Sequence, residues 1–470
     1  MEIVVSTRLG GVRGRVEEGI AVFRGIPYAA APFGKHRFAE PAALEPWEGV
    51  RDALEFGPTA PKRPYRPPLD ELIPEEDIPG DECLNLNVWT PALDDGRRPV
   101  MVWIHGGSFR NGSSGFPLYD GRAFARDGVV LVSLNYRLGV EGFGVFPDAP
   151  DNRGLLDQIA ALEWVRDNIA SFGGDPGNVT VFGESAGGIS IAALLASPRA
   201  RGLFKRAAMQ SGPPQIMTRD EGAAIVKLMA ESLGVPPTAE AFASVDRERL
   251  LDAQAEASAK GSPLGGGPGF FIVEDGQVVP SGAREGIAPP EDVALLLGTN
   301  REEYRLWFVP TGVVDRINRL TFRLALLKFR VPGRIARLYR ANRPDAAPGE
   351  VLGEIATDML LRAPAHRLAD AAARAHVYEF AWRSPVRDLG ACHALEIGFV
   401  FDTLAAGEQL AGPDAPQPLA DAVHRAWVAF AAHGDPGWPL WDETRPVMTF
   451  DHPESRVVPA PRHDELQAWS

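Results

Sequence analysis

The sequence has only two cysteines among its 470 residues, Cys83 and Cys392, and they lie far apart in the chain. A framework of disulfide bonds needs more cysteines than this, so a reducing cytoplasm is the simplest interpretation. The sequence also lacks the His-Glu-x-x-His, paired Cys-x-x-Cys and P-loop motifs that bind metal ions and nucleotides. We therefore expect no metal ion and no cofactor.

Long hydrophobic runs are absent as well. No apolar stretch reaches the roughly 18 residues that a membrane-spanning helix needs, so a membrane span is not expected. Residues Met1–Gly10 contain no basic region followed by an apolar one, and no signal peptide is predicted there. Together these absences favour a cytoplasmic protein.

Positive charge is in the minority, with 48 basic against 62 acidic residues and a net charge of −14. This charge repels nucleic acid and anionic membrane surfaces, so neither is an expected partner, whereas a neutral small molecule is compatible with it. Lysine is scarce, and the abundance of arginine, alanine, glycine and proline is typical of a GC-rich bacterial genome. The composition leaves the oligomeric state open, and a monomer is compatible with it.

Short apolar runs alternate with segments of helical periodicity, which is typical of a mainly parallel sheet covered by helices. The hydrophobic content of 45% is enough for a large core. Six apolar runs are predicted strands: Val100–Ile104, Val129–Leu134, Val179–Phe182, Arg206–Met209, Val293–Leu297 and Val377–Phe380.

A helix is predicted between the second and third of these strands. Its apolar residues recur at steps of four and three: Leu155, Ile159, Leu162, Val165 and Ile169. We expect Asp151 or Asn152 to cap its start and Gly173-Gly174 to end it.

Several segments depart from the alternating pattern. Residues 62–80 are rich in proline and acidic residues, which predicts a surface loop lying over a cleft. Residues 219–290 are helical and then glycine-rich from Gly261 to Gly269, and residues 311–375 are helical again. Because these insertions fall between predicted strands, we expect residues 1–470 to form a single catalytic domain. After a last helix at 421–432, an irregular, tryptophan-rich tail is expected.

The sharpest local motif is Gly183-Glu184-Ser185-Ala186-Gly187, which follows a predicted strand and precedes a predicted helix. In such a G-x-S-x-G turn the serine is strained and exposed, and the flanking glycines let strand and helix approach closely. The helix then directs its first N–H groups at an anion beside the serine. The motif predicts a serine nucleophile.

A second motif, His105-Gly106-Gly107-Ser108-Phe109, directly follows the predicted strand that ends at Ile104. A glycine-rich turn lets main-chain N–H groups point inward, and lipases and esterases use such a loop to stabilise an oxyanion. The sequence therefore predicts an oxyanion hole at this loop.

These motifs and others give the chain a resemblance, over nearly its whole length, to the type-B carboxylesterases, the family that includes the cholinesterases. The resemblance rests on short segments in a fixed order: Gly25-Ile26-Pro27-Tyr28-Ala29, Glu82-Cys83-Leu84-Asn85-Leu86-Asn87-Val88, Asn135-Tyr136-Arg137, Phe172-Gly173-Gly174-Asp175-Pro176, the serine motif, Gln210-Ser211-Gly212 and Trp438-Pro439. It implies the α/β-hydrolase fold, with helical insertions over the active-site cleft, and the hydrolysis of carboxylic esters.

The resemblance also implies a triad in the order serine, acid, histidine. It assigns the acid to Glu303 and the histidine to His393. From the residues alone, His393 is favoured because it occupies a loop between a strand and an apolar run, and Glu302 remains a rival acid.

For the remaining site, the resemblance implies oxyanion donors and neighbours of the histidine. The donors are the main-chain N–H groups of Gly107, Ser108 and Ala186, and the neighbours are Glu184 and Ser211. The chain has Tyr304 where most of the family has glycine, so we expect this side chain to narrow the pocket beside Glu303.

Two alternatives to an esterase remain. The same machinery can act on an amide, a carbamate or a synthetic polyester, or the chain can be a non-catalytic binding protein of the same fold. Binding relatives usually lose the serine or the histidine, and this chain keeps both.

Overall fold

Seven parallel strands form the centre of a 13-stranded sheet in the computed structural model, which describes residues 1–261 and 269–469. The strands of this sheet are β1 (Glu2–Ser6), β2 (Gly11–Glu17), β3 (Ile20–Pro27), β4 (Val50–Asp52), β5 (Asn85–Thr90), β6 (Arg98–Ile104), β7 (Val130–Leu134), β8 (Gly174–Glu184), β9 (Arg206–Gln210), β12 (Ala294–Asn300), β13 (Ala375–Phe380), β14 (Pro446–Phe450) and β15 (Arg456–Pro459). Their order in the sheet is β1-β2-β3-β5-β7-β6-β8-β9-β12-β13-β14-β15, with β4 beside β2. The strands from β7 to β14 in this order are parallel. A separate pair consists of β10 (Ile216–Met217) and β11 (Ile272–Val273).

Helices cover both faces of the sheet and fill the insertions between strands. The helices are α1 (Arg122–Arg126), α2 (Gly139–Phe143), α3 (Arg153–Asn168), α4 (Ala186–Ala196), α5 (Arg219–Leu233), α6 (Ala239–Ala243), α7 (Arg247–Ser258), α8 (Arg305–Phe308), α9 (Val313–Arg316), α10 (Arg319–Lys328), α11 (Gly333–Asn342), α12 (Pro348–Thr357), α13 (Ala363–Ala371), α14 (Ile397–Phe401), α15 (Glu408–Ala411), α16 (Gln417–His433) and α17 (His463–Gln467). None of those in the described ranges combines the length and the apolar character that crossing a membrane requires.

The hydrophobic core is divided by the sheet. Along β6, Val100, Val102 and Ile104 pack into one cluster, whereas Met101 and Trp103 pack into the cluster on the opposite face. This alternation follows from the two-residue period of a strand. Each large side chain buried in this way contributes about 1.5–3 kcal/mol, which explains why the central strands are apolar on both faces.

All six predicted strands are present, but the tail prediction is wrong. The chain after α16 is not irregular, because β14 pairs in parallel with β13, with Val447 opposite Val377, and β15 adds an antiparallel edge. A strand that begins with a proline and lies near the sheet edge carries little sequence signal. Most of the glycine-rich segment predicted at Gly261–Gly269 lies outside the described residues.

The predicted side-chain cap of α3 is also wrong. Asn152 occupies the N-cap position, but its φ of 55° is left-handed and its side chain makes no cap. The Asn152 amide instead hydrogen-bonds both the N–H and the C=O of Val273, at 2.9 and 2.8 Å, and Asp151 pairs with Arg219. Asn152 therefore ties the start of α3 to the insertion that contains β11.

A buried ion pair next to this helix generates a stability prediction. Asp157 on α3 accepts two hydrogen bonds from the guanidinium of Arg137, at 2.6 and 2.8 Å, and the side chains are 0% and 1% exposed. Arg137→Met leaves the Asp157 carboxylate buried without its partner, so we expect the free energy of unfolding to fall by about 3–5 kcal/mol. Urea unfolding and the thermal midpoint measure this loss.

The matched control is Arg97→Met, because Arg97 pairs with Asp175 while its own side chain is 75% exposed. We expect this variant to lose less than about 1 kcal/mol. Equal losses in the two variants would contradict the importance of the Arg137–Asp157 pair.

Candidate active site

Ser185 lies at the turn between β8 and α4. Its backbone has φ 55° and ψ −121°, a strained conformation that a non-glycine residue rarely adopts. A Cβ atom at Gly183 or Gly187 would overlap the carbonyl oxygen of Ile104 at the end of β6. The glycines of the serine motif therefore permit β6, β8 and α4 to meet at one point, and Ser185 projects beside that point.

The loop after β9 supports the same turn from the other side. The Ser185 N–H donates to the carbonyl oxygen of Gln210 at 2.9 Å, and a Cβ at Gly212 would overlap the carbonyl oxygen of Ser185. Ser211, between these residues, has φ 49°, and its buried hydroxyl has no hydrogen-bond partner among the described residues. Ser211 therefore lies beside the turn that carries Ser185, and its hydroxyl makes no hydrogen bond to His393 within the described residues.

His393 and Glu303 form a buried pair at the same edge of the sheet. The distance from His393 Nδ1 to Glu303 Oε2 is 2.6 Å, and the other Glu303 oxygen accepts the N–H of Asn300 at 2.7 Å. Glu303 follows β12 and His393 lies in the segment after β13, so the parallel register brings them together.

The rival acid Glu302 lies elsewhere. Its carboxylate accepts the Ala391 N–H at 3.1 Å and forms ion pairs with Arg383 and with Arg305. Of the two candidate acids, only Glu303 contacts His393 within the described part of the chain.

Glu184 lies on the opposite side of the imidazole. Its Oε1 is 2.8 Å from His393 Nε2, so the two side chains form an ion pair when the imidazole is protonated. Burial by itself lowers the pKa of His393, and the charges of Glu184 and Glu303 reverse this and raise it well above the ordinary value. Burial has the opposite effect on a carboxyl group, because it disfavours the charged form, and it raises the pKa of Glu184.

A third carboxyl group, Glu396, was missed from the sequence. It is fully buried and accepts hydrogen bonds from Gln210 Nε2 at 3.0 Å and from Asn300 Nδ2 at 2.6 Å. Burial, together with the charges of Glu184 and Glu303, raises the pKa of Glu396 to about 7. The only sequence signal is its position three residues after His393.

The glycine-rich loop after β6 exposes main-chain donors. Gly107 and Ser108 have φ of 111° and 55°, and their N–H groups donate to no acceptor within the described ranges. Ala186 is the first residue of α4, so its N–H has no partner inside the helix. His105 fixes the loop as a neutral ring stacked on Tyr136, with its pKa lowered to about 4 by burial.

Ser185, His393, Gly107 and Ser108 line one cavity of about 130 Å³. Its other walls are mostly apolar and include Phe116, Leu118, Leu306, Trp307 and Ile397. The Trp307 ring lies 4.7 Å from the His393 ring between centroids.

The expectation that Tyr304 narrows this cavity is wrong. A Cβ at Gly353 would overlap the Tyr304 ring, which packs there and against Phe308 at 5.7 Å between centroids. Tyr304 is 2% exposed and is not among the residues that line the cavity. The neighbouring α8 supplies Trp307 instead.

Comparisons with known proteins identify the family of the chain. The carboxylesterase family pattern matches residues 1–469. The chain is 38% identical to the para-nitrobenzyl esterase of Bacillus subtilis (strain 168), over 95% of this chain and 94% of that protein. It is 37% identical to the phenmedipham hydrolase of Pseudarthrobacter oxydans, over 97% of this chain and 94% of that protein. The solved carboxylesterase EST55 of Geobacillus stearothermophilus has a TM-score of 0.86 at 35% identity, covering 99% of this chain and 100% of that one.

The chain belongs to the carboxylesterase family. It has the α/β-hydrolase fold and is a carboxylic ester hydrolase. This finding favours an enzyme over the non-catalytic alternative.

In this carboxylesterase the segment 62–80 is tied to the glycine-rich loop. Asn111 Nδ2 donates to the carbonyl oxygen of Arg63 at 2.7 Å, and Glu75 Oε1 accepts the N–H of Gly112 at 2.9 Å. Residues 72–76, together with Tyr65 and Leu69, line the cavity. One wall of the cavity is therefore attached to the loop that carries the free N–H groups.

The electrostatics of the site generate a prediction about His393. Glu184→Gln removes a negative charge next to Nε2, which destabilises the imidazolium, so we expect the pKa of His393 to fall. The neutral ring then becomes populated at lower pH. NMR titration of the histidine side chains measures this change directly.

Glu163→Gln is the control for this titration, because Glu163 lies on the exposed face of α3. It should leave the His393 titration unchanged. An unchanged His393 pKa in the Glu184 variant would contradict the ionic contact.

Proposed function

We propose that this carboxylesterase hydrolyses uncharged carboxylic esters through an acyl-enzyme on Ser185, with His393 and Glu303 as the remaining members of a catalytic triad. The observation that supports this best is the shared cavity: the strained Ser185 borders the same space as His393, whose ring is paired with the buried Glu303. A nucleophile and an oriented base that reach one cavity satisfy the geometric requirement for covalent acyl transfer.

In the first half-reaction, Ser185 Oγ attacks the ester carbonyl carbon while His393 Nε2 accepts the hydroxyl proton. Glu303 holds Nδ1–H at 2.6 Å, which fixes the tautomer that leaves Nε2 free to act as a base. The carbonyl oxygen becomes an oxyanion, and the N–H groups of Gly107, Ser108 and Ala186 donate to it. A single donor of this kind typically contributes about 3 kcal/mol to the transition state.

The first half-reaction ends when the carbon–oxygen bond to the alcohol breaks, the imidazolium gives its proton to the leaving alcohol, and the acyl group stays on Ser185. In the second half-reaction, water attacks the acyl carbon while His393 takes its proton. The bond between the acyl carbon and Ser185 then breaks, His393 returns the proton to Ser185 Oγ, and the carboxylic acid leaves. Glu184, at 2.8 Å from Nε2, stabilises the imidazolium that forms in both halves. Because the base must begin neutral, activity rises with pH through the raised pKa of His393.

The substrate class follows from the cavity walls. Apolar side chains dominate them, so acyl and alcohol groups without charge are favoured. We assign the natural substrates to small and medium uncharged esters, for which p-nitrophenyl esters of graded acyl length are suitable probes.

We further propose that residues 1–470 act as one catalytic domain in the bacterial cytoplasm. The two main core clusters pack on opposite faces of one sheet, and the insertions enter between its strands. Cys83 and Cys392 are free and buried, and burial raises the pKa of Cys83 to about 12, as suits unreactive thiols in a reducing compartment.

A fluorophosphonate tests the nucleophile, because its adduct mimics the tetrahedral intermediate. We expect one adduct per chain, on Ser185, with complete loss of p-nitrophenyl acetate hydrolysis, and no adduct on Ser185→Ala. Mass spectrometry of the peptides locates it. An adduct on another serine, with Ser185→Ala still active, would overturn the proposed mechanism.

The two neighbouring glutamates test the acid. Glu303→Gln removes the group that orients His393, and we expect turnover to fall by about 10³–10⁴. Glu302→Gln changes a carboxylate that contacts arginines instead, so turnover should stay within about tenfold of wild type. Steady-state kinetics of both variants, with matched thermal midpoints, make the comparison, and the reverse ranking would show that Glu302 is the triad acid.

A further inference from the structure

The charge of this acidic protein is distributed very unevenly. The 28 residues from Arg316 to Arg343 contain nine arginines and lysines and no aspartate or glutamate, whereas the whole chain has a net charge of −14. This segment comprises α10, α11 and the turns beside them. Its local charge is therefore opposite to the charge of the molecule.

The basic residues of this segment are not neutralised by acidic neighbours. The eight from Arg316 to Arg340 are exposed, and none of them forms an ion pair within residues 1–261 and 269–469. Arg343, the ninth, pairs with Glu354 and Glu465. At physiological salt, charges interact over only about 8 Å, so an approaching surface meets this local charge rather than the net charge.

Three large apolar side chains lie among these cations. Leu320, Leu324 and Leu327 on α10 are 67%, 56% and 75% exposed. Their spacing of four and three residues places them on one face of the helix, opposite the face that buries Phe322. On the helix surface, Arg323 flanks this row on one side and Lys328 on the other.

We propose that these three leucines and the unpaired cations of the same helix, Arg319, Arg323 and Lys328, here called the basic leucine face, bind the surface of an anionic lipid membrane. Leucine side chains on one face of a helix can enter the boundary between headgroups and acyl chains. Flanking arginine and lysine side chains then reach the lipid phosphates while their methylene stems stay in apolar contact. The basic leucine face provides both contributions on one surface.

Other occupants fit the basic leucine face less well. Two copies related by a two-fold axis would bring the three cations of one face against the three cations of the other, which is repulsive. A nucleic acid would satisfy the charges but would leave the leucines in water, since its phosphates offer no apolar contact. A membrane with anionic headgroups would contact both the cations and the leucines. Neither the exposed leucines nor the unpaired cations involve Ser185 or the proposed mechanism.

Sedimentation of the full-length protein with vesicles tests the proposal. The probe is phosphatidylcholine vesicles containing about 30% phosphatidylglycerol, compared with pure phosphatidylcholine, at about 0.1 M and about 0.5 M salt. We expect binding to the anionic vesicles that weakens at least about tenfold at the higher salt, and much weaker binding to the neutral vesicles.

Two variants separate the contributions of the basic leucine face. The triple change Leu320→Gln, Leu324→Gln, Leu327→Gln removes the apolar row, and Arg319→Glu, Arg323→Glu, Lys328→Glu reverses the flanking charge. Each should weaken vesicle binding at least about tenfold while leaving hydrolysis of soluble p-nitrophenyl acetate unchanged. That activity and the thermal midpoint report that the variants are folded.

The matched control reverses three exposed arginines outside the segment that likewise form no ion pair with any described residue: Arg201→Glu, Arg425→Glu and Arg456→Glu. It changes the net charge by the same amount and should reduce vesicle binding less than twofold. Loss of binding equal to that of the Arg319 triple would overturn the proposal, because only net charge would then matter.

Three further outcomes would overturn it. One is no sedimentation with anionic vesicles at about 0.1 M salt. The second is tighter binding to single-stranded RNA than to vesicles, unaffected by the leucine changes. The third is a concentration-dependent dimer that the leucine changes dissociate, which would make this face a contact between copies of the chain.

Discussion

The approach of Gly183 and Gly187 to the carbonyl oxygen of Ile104 is the contact on which the active site depends. Only glycine permits this approach, which lets β8 turn into α4 at Ser185, whose backbone is strained there. Because β6, β8, β12 and β13 are parallel, the segments that follow them meet at the same edge of the sheet. The close packing at the Ile104 carbonyl and the parallel arrangement of the strands thus bring together groups from distant parts of the chain.

Electrostatic compensation holds the buried groups around His393 together. The imidazole of His393 contacts Glu184 and Glu303, and burial opposes the ionisation of Glu184 and of the neighbouring Glu396. The charges of Glu184 and Glu303 add to the effect of burial and raise the pKa of Glu396 to about 7. Its hydrogen bonds to Gln210 and Asn300 hold it in place in either protonation state. The proton count of this cluster is a property of the group and not of any single residue.

Much of the fold and of the candidate site could be predicted from local sequence, and the predictions that failed did so for physical reasons. Strand and turn motifs locate Ser185 and the loop of Gly107, because each depends on residues adjacent in the chain. Asn152 was misassigned as a side-chain cap because its partner, Val273, is far away in sequence. Glu396 was missed because only the fold brings Gln210 and Asn300 to it. The direction in which Tyr304 points likewise depends on Gly353, which no local pattern reveals.

The attachment of segment 62–80 to the glycine-rich loop links the shape of the cavity to the position of the main-chain N–H groups, so evolution cannot vary the two separately. Asn111 and Glu75 join this wall of the cavity to the loop whose main-chain N–H groups we propose as oxyanion donors. Sequence change that reshapes the wall therefore also shifts that loop. Leu306, which lines the same cavity, forms no hydrogen bond to that loop within the described residues, so substitution there changes the cavity with less effect on the loop.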